Sequence, residues 1–357
     1  VIACIGLGLL PGIGPRTIRQ WLESAGSGAE AWRTVPTLAG RHRNAQTIIA
    51  ARRTLDPQAV LARARSQGTT VIAMTDPSYP VPLLAIPDPP PALFVRGEIG
   101  TAATVAVVGS RRATPYGRAV TERLTTDLAA AGICIVSGLA RGIDGIAHEA
   151  ALDAGGRTVA VLGSGVDVIY PREHRRLADA ISSRGALVSE FAPGTPPLPG
   201  FFPRRNRLIS GLAMGVVVVE GAEDSGALVT VDYALDQGRD VFAVPGSIFS
   251  NKSRAPHELL RQGARLVESG AEVLQELGLA DPAAARGAGR EIKEALVGKD
   301  EERVLTLLTG GPRPLDELID ESTLPAGKVA AAVTRLEMRG LVETLPGQIV
   351  MRTARKG

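Results

Sequence analysis

Six short apolar runs divide the middle of the chain: VAVVG (105–109), ICIVSG (133–138), TVAVLGSG (158–165), ALVSEF (186–191), VVVVEG (216–221) and DVFAVPG (240–246). Segments with helical patterning lie between them. The runs are continuously apolar rather than alternating, which marks strands buried on both faces. Strands of that kind, separated by helices, form a parallel sheet covered on both sides. The pattern predicts an α/β fold, an extended Rossmann-like, doubly wound parallel sheet over residues 61–278. Ligands of such sheets bind outside the carboxyl ends of the strands.

The flanks are patterned differently. Residues 1–60 read as short helices. LLPGIGPRTIRQWLES gives a helix end, a Gly12-Ile13-Gly14 turn, and Pro15 in the first turn of the next helix. This resembles a helix-hairpin-helix, whose backbone N–H groups meet DNA phosphates without reading sequence. An ordinary packing hairpin has the same signature. Between 77 and 91 stand seven prolines, which exclude a regular helix there. Val71–Met74 and Ala92–Arg96 are candidate strands. Leu83, Leu84, Ile86, Leu93 and Phe94 need burial, so this stretch is an ordered lead-in to the sheet. The Ala- and Gly-rich stretch that begins GLADPAAARGAGREIKEAL predicts a linker over 279–298. Residues 299–357 then give three helices and two strands, a winged-helix pattern. Its third helix offers Lys328, Arg335 and Arg339 to a duplex groove, although protein docking or dimerisation fits equally.

A length of 357 residues suits two or three domains, and 45% hydrophobic with 22% charged residues is a globular composition. No apolar run approaches the ~20 residues of a membrane span. VIACIGLGLL lacks the charged start and cleavage site of an export signal, so the cytoplasm is expected. Two cysteines and four scattered histidines give neither a disulfide framework nor a metal site. No metal or cofactor is expected. Residues 1–98 carry ten basic and six acidic side chains, 99–278 carry 18 and 19, and 279–357 carry twelve of each. The central part is therefore not a uniformly basic binder, and a nucleic-acid site there must be a local pocket.

The chemistry sits at the strand ends. GSRRATPYG (109–117), SGLARGID (137–144), GSGVDVIYP (163–171), EGAEDSGALVT (220–230) and PGSIFSNKSRAPHELL (245–260) each place small or hydroxyl residues where a helix begins. Helix N-termini and open backbone N–H groups suit phosphate. A G-x-G-x-x-G turn is absent, which disfavours a dinucleotide. FFPRRNRLISGLA (201–213) puts two of the chain's twelve aromatic residues beside Arg204, Arg205 and Arg207. Aromatic faces stack on unpaired bases and Arg forks hold phosphates, the composition of a single-strand site. A buried Phe pair beside a solvated Arg cluster is the plainer alternative. Asp144 and His148, four apart on one helix, make a helix-start salt bridge more readily than a catalytic dyad.

GSRRATPYG, SGLARGIDGIAHEAAL, FPRRNRLISGLA, SGALVTVDYALDQGRDVFAVPG and NKSRAPHELLRQGARLV, in this order over about 65–275, resemble the DprA/Smf family (DNA-processing protein A). Members often carry a SAM-like helical domain before the core and a winged helix after it. The resemblance implies a single-stranded DNA-binding protein of natural transformation, without catalytic turnover. It would protect incoming DNA, load the RecA recombinase and form a homodimer through the Rossmann-like domain. Carried onto this sequence, the DNA pocket would use Gly109, Ser110, Arg111, Gly138, Arg141, Phe202, Arg204, Asn206 and Arg207. Phe201 and Phe202 are not separable as the stacking residue, and Arg205 is expected to face solvent.

Two other functions compete. Nucleotide-processing Rossmann enzymes of the LOG type carry P-G-G-x-G-T-x-x-E. The matching stretch here, DSGALVTVDYALDQG, lacks the Gly-Gly pair and has Asp232 near the Glu place. A regulator acting through the tail would need a basic face, and the tail is neutral.

Overall fold

The computed structural model describes residues 1–279, 298–308, 311–338, 342–345 and 348–352. Residues 1–279 form one compact unit, and the described part of 280–357 forms a second. Apart from Leu279 and Gly298, the expected linker 279–298 lies outside the described residues.

The first unit opens with helices α1 (Ile2–Leu9), α2 (Pro15–Ala25), α3 (Gly28–Arg33), α4 (Val35–Leu38), α5 (Ala45–Thr54) and α6 (Pro57–Ser66). The α1–α2 turn has the expected hairpin chemistry. Gly12 takes φ 72°, Gly14 caps α2, and Pro15 occupies its first turn. Strands β1 (Thr70–Ala73) and β2 (Ala92–Gly97) bracket the proline-rich stretch, which holds one short helix, α7 (Val81–Leu84). That turn was not expected among so many prolines. Pro82 sits at its start, where a missing N–H costs nothing. Leu83, Ile86, Leu93 and Phe94 are buried as expected, Leu84 is only half-buried, and the Tyr79 hydroxyl donates to the Pro90 carbonyl at 2.8 Å.

The alternating core follows: β3 (Thr104–Val108), α8 (Pro115–Ala130), β4 (Cys134–Ser137), α9 (Ile143–Asp153), β5 (Thr158–Val161), α10 (Arg175–Arg184), β6 (Ala186–Ser189), α11 (Phe201–Leu212), β7 (Gly215–Val218), α12 (Gly226–Asp236), β8 (Asp240–Ala243), α13 (Arg254–Arg261), β9 (Arg265–Leu266) and α14 (Gly270–Glu276). All six apolar runs are strands. The two-residue β9 is too short to leave a pattern.

The strands hydrogen-bond in the order β1-β2-β6-β5-β4-β3-β7-β8-β9. At one edge β1 pairs with β2, and β2 with β6, antiparallel; the remaining pairings of this sheet are parallel. From β3 the chain winds outward through β4, β5 and β6, then returns to β3's other side with β7. The order therefore reverses between β3 and β7, where a doubly wound sheet opens a crevice. Side chains alternate across the sheet. Ala106 and Val108 pack toward α11 and α12, while Val105 and Val107 pack toward α8 and α9. The N-terminal helices share one apolar cluster with Phe94, Leu187 and α10.

The second unit holds α15 (Lys299–Leu307), β10 (Arg313–Pro314), α16 (Leu315–Ser322), α17 (Ala326–Met338), β11 (Val342–Leu345) and β12 (Ile349–Arg352). Its three strands pair as β10-β12-β11 around an apolar centre that includes Val304, Leu318, Val333 and Val350. This is a winged helix. On α17, Lys328 lies 3.8 Å from Asp300 and Arg335 pairs with Glu301; Arg339 lies outside the described residues. No described helix is long and apolar enough to cross a membrane.

Candidate nucleic-acid interface

An open cleft of about 530 Å³ lies at the β3/β7 reversal, lined from the strand ends and from one face of α11. Its walls are held in place by the segments that follow β3, β4 and β7. After β3, the Ser110 hydroxyl accepts from the Arg112 N–H at 3.1 Å, and the Ser110 carbonyl accepts from the Ile143 N–H at 3.1 Å. Glu220, at the end of β7, accepts from the Thr114 N–H at 3.0 Å and from the Thr114 hydroxyl at 2.5 Å. Thr114 in turn caps α8 by accepting from the Gly117 N–H. Glu220 thus fixes the whole turn, although its place directly after an apolar run did not single it out in the sequence.

After β4, the Asp144 carboxylate accepts from the N–H groups of Gly138 (3.1 Å) and Ala140 (3.4 Å). Burial raises its pKa, against the pull of nearby Arg205 and of these N–H donors. Gly142 has φ 73°, and a Cβ there would overlap the Ser110 carbonyl. Leu139 adopts φ 57° while fully buried, a conformation that branched residues rarely hold without strong surroundings.

Helix α11 supplies the cleft's third wall. Phe202, Arg205, Asn206 and Ile209 all line it, an i, i+3, i+4, i+7 stripe along one helical face. Tyr170, with its ring centroid 5.6 Å away, and the Arg111 guanidinium, 5.8 Å from the Phe202 centroid, both lie near the Phe202 ring. Gly163 makes room for it, since a Cβ there would come within 2.9 Å of the ring. Asn206 donates to the Gly226 carbonyl at 3.3 Å, linking α11 to the start of α12. Ser225, Gly226 and Lys252 complete the opposite rim. Among the described residues, none of Arg111, Arg112 and Lys252 forms an ion pair. Asp224 is the one exposed carboxylate that lines the cleft. Such a cleft, cationic at its rim with an aromatic face inside, suits a phosphate-linked chain with accessible bases.

The structure divides the expected site residues. Gly109, Ser110, Arg111, Phe202 and Asn206 line the cleft, and Gly138 lies beneath it. Three others do not line it. Arg207 is 1% exposed; its guanidinium meets Glu190 at 2.8 Å and Asp88 at 3.0 Å, so it is a buried structural cation. Arg204, on the same helical face, also meets Glu190, at 2.7 Å. Arg141 is exposed and paired with Glu173 at 2.5 Å. Arg205, expected in solvent, is instead 4% exposed. It donates to the Gly138 carbonyl at 2.5 Å and to the Val161 carbonyl. Burial lowers its pKa to about 10, opposed by Asp144 and assisted by Arg111, so it stays charged at neutral pH.

The two adjacent phenylalanines take different surroundings. Phe201 stacks on Phe191, centroids 4.2 Å apart, while Phe202 faces the cleft. Asp144 and His148 form neither salt bridge nor dyad. The His148 Nδ1 meets the Thr158 hydroxyl at 2.6 Å, and burial lowers its pKa to about 3. Asp232 is exposed and does not line the cleft.

Comparison with known proteins agrees with this architecture. The family model for DNA recombination-mediator protein A matches residues 70–278, and that for the DprA winged helix domain matches residues 291–348. A protein Smf of Synechocystis sp. is 33% identical over 382 aligned residues, covering 96% of each chain. The structure of DNA processing protein A from Streptococcus pneumoniae superposes with a TM-score of 0.70 at 37% identity, covering 77% of this chain and 98% of that one. A DNA processing protein A from Helicobacter pylori, described for its single-stranded DNA binding mode, matches with a TM-score of 0.53 at 30% identity, over 58% of this chain and 95% of its own. The chain belongs to the DNA recombination-mediator protein A family, also called DprA/Smf.

Proposed function

We propose that the β3/β7 cleft binds single-stranded DNA without turnover. The observation that carries this reading is the Phe202 ring near Tyr170 and Arg111, at a sheet-edge crevice whose rim cations Arg111, Arg112 and Lys252 form no ion pair among the described residues. A base stacks on Phe202, and phosphates lie along Arg111, Arg112, Lys252 and the start of α12. Gly109 and Ser110 set the backbone at the rim, and Gly138 holds Arg205 below. The cleft excludes a duplex because a stacked base must leave its partner. Arg141, which can exchange Glu173 for a phosphate, extends the site at its margin.

The wider role we propose is that of a recombination mediator in natural transformation. The protein would act in the cytoplasm as a homodimer through the Rossmann-like domain, protect incoming strands and pass them to RecA. Family membership supports this part, and no feature of the cleft specifies RecA.

The test is binding of labelled oligo-dT and of a matched duplex to the whole chain across a salt series. Tight, salt-sensitive binding of the single strand with weak duplex binding is expected. Equal or stronger duplex binding would move the function to the flanking domains. Release of free base from nucleoside monophosphates would support the LOG-type enzyme instead.

A further inference from the structure

β8 runs parallel to β7, so the chain leaves it on the same sheet edge that carries the cleft. The loop that follows displays Ile248 and Phe249, 81% and 93% exposed, the most exposed of the large apolar side chains among the described residues. The other five phenylalanines are buried or half-buried. Phe249 therefore forgoes burial that every other Phe obtains.

The loop is braced. The Tyr116 hydroxyl donates to the Pro245 carbonyl at 2.6 Å, and the Gly246 carbonyl lies 3.0 Å from His257 Nε2. The Phe249 N–H donates to the Ser247 hydroxyl at 3.2 Å, and the Ser250 N–H to the Ser247 carbonyl at 3.0 Å. Three residues on, Lys252 lines the cleft, and its carbonyl accepts from the Gly221 N–H at 2.7 Å. One loop thus carries a cation of the cleft and, on a tip closed by its own hydrogen bonds, an aromatic ring held in solvent.

We propose that Phe249 is a second base-stacking position, which takes up the strand as it leaves the cleft over β7 and β8. This rests on the cleft being a single-strand site. Continuity through Lys252 favours DNA as the occupant. So does the size of the patch: two apolar side chains among Ser247, Ser250 and Asn251 are far from the roughly 1,000 Å² that a specific protein interface buries. Adjacent strands lie about 4.8 Å apart, so a track crossing from β3 to β8 spans only about two strand spacings.

The experiment measures affinity for an oligo-dT length series with the whole chain, comparing Phe249→Ala and Phe202→Ala with the unaltered protein. Phe249→Ala should weaken binding of long oligo-dT about five- to a hundredfold, the effect of losing one stacked base. It should leave the shortest bound oligomer, the salt dependence and the thermal midpoint unchanged. Phe249→Trp should show emission, above that of Trp21 and Trp32, that long oligo-dT quenches. Equal affinities of Phe249→Ala and the unaltered protein at every length, or no quenching at saturation, would overturn the proposal. So would a change in oligomer mass with DNA binding intact, which assigns the tip to a second copy of the chain. If Phe202→Ala loses short oligomers while Phe249→Ala loses nothing, the cleft reading stands and this proposal alone falls. If the unaltered protein binds no oligo-dT, both fall.

Discussion

Arg205 and Gly138 are locked together under the cleft, the guanidinium Nη1 donating to the Gly138 carbonyl at 2.5 Å in the space that a Cβ on residue 138 would occupy. Gly138→Ala should therefore displace a buried charge from its acceptors. The expected loss is about 1–3 kcal/mol, typical of overpacking, read as a lower urea midpoint. Gly226→Ala is the control. It has open space around it and an ordinary φ, and should be neutral or slightly stabilising. Equal midpoints for the two variants would show that the 138 site relaxes freely.

Arg111 and Arg207 should separate binding from folding. Arg111→Ala removes an exposed cation at the cleft and should lower the log–log salt slope of single-strand binding by about 0.7, with the melting temperature unchanged. Arg207→Ala leaves Glu190 buried with only Arg204 for a partner, and should cost about 3–5 kcal/mol of stability. A stable Arg207→Ala protein with weakened DNA binding would contradict the structural role assigned here.

The adjacent phenylalanines should part in the same way. Phe202→Ala should cost about 1–3 kcal/mol of single-strand binding, the range for one stacked base. Phe201→Ala, which loses the ring pair with Phe191, should lower stability first. Titration of both variants with oligo-dT, beside thermal melts, decides it. Matching losses of affinity would place both rings on the DNA.

Acid should weaken the fold through His148. Its ordinary pKa of 6.5 falls to about 3 in the folded chain. Below about pH 6.5 the unfolded chain takes up a proton that the native state refuses, so stability falls as pH falls, by up to about 1.4 kcal/mol per pH unit. Urea midpoints between pH 6.5 and 5 should drop accordingly, and drop less in His148→Gln. Parallel curves for the two proteins would remove His148 as the cause.

The sheet and the edge that carries the cleft were legible because continuous apolar runs ending in Gly and Ser have few other uses. Helix α11 was misread in part, for a geometric reason. FFPRRNR reads in sequence as one basic cluster, yet 3.6 residues per turn divide it. Phe202, Arg205, Asn206 and Ile209 share the cleft face, while Arg204 and Arg207 share the face toward Glu190. The helical period held that division; the identity of the buried carboxylate did not follow from it, since Glu190 lies on another strand end. Arg141 and Glu173 meet only through the fold, 32 residues apart in the chain. Phe249 left no signal because exposure is not a property of local sequence.

The apolar cluster shared by α1–α6, β2, β6 and α10 bears on how the protein can be dissected. The helices at the start of the chain close one side of the sheet much as a roof closes a wall. A chain shortened to begin at β1 would present Phe94, Leu187 and Ile181 to water and should aggregate, however intact the β3/β7 cleft. The workable cut is the boundary near residue 280, where the compact units part. Helical content alone therefore does not mark a separable module: α1–α6 belong to the same compact unit as the sheet.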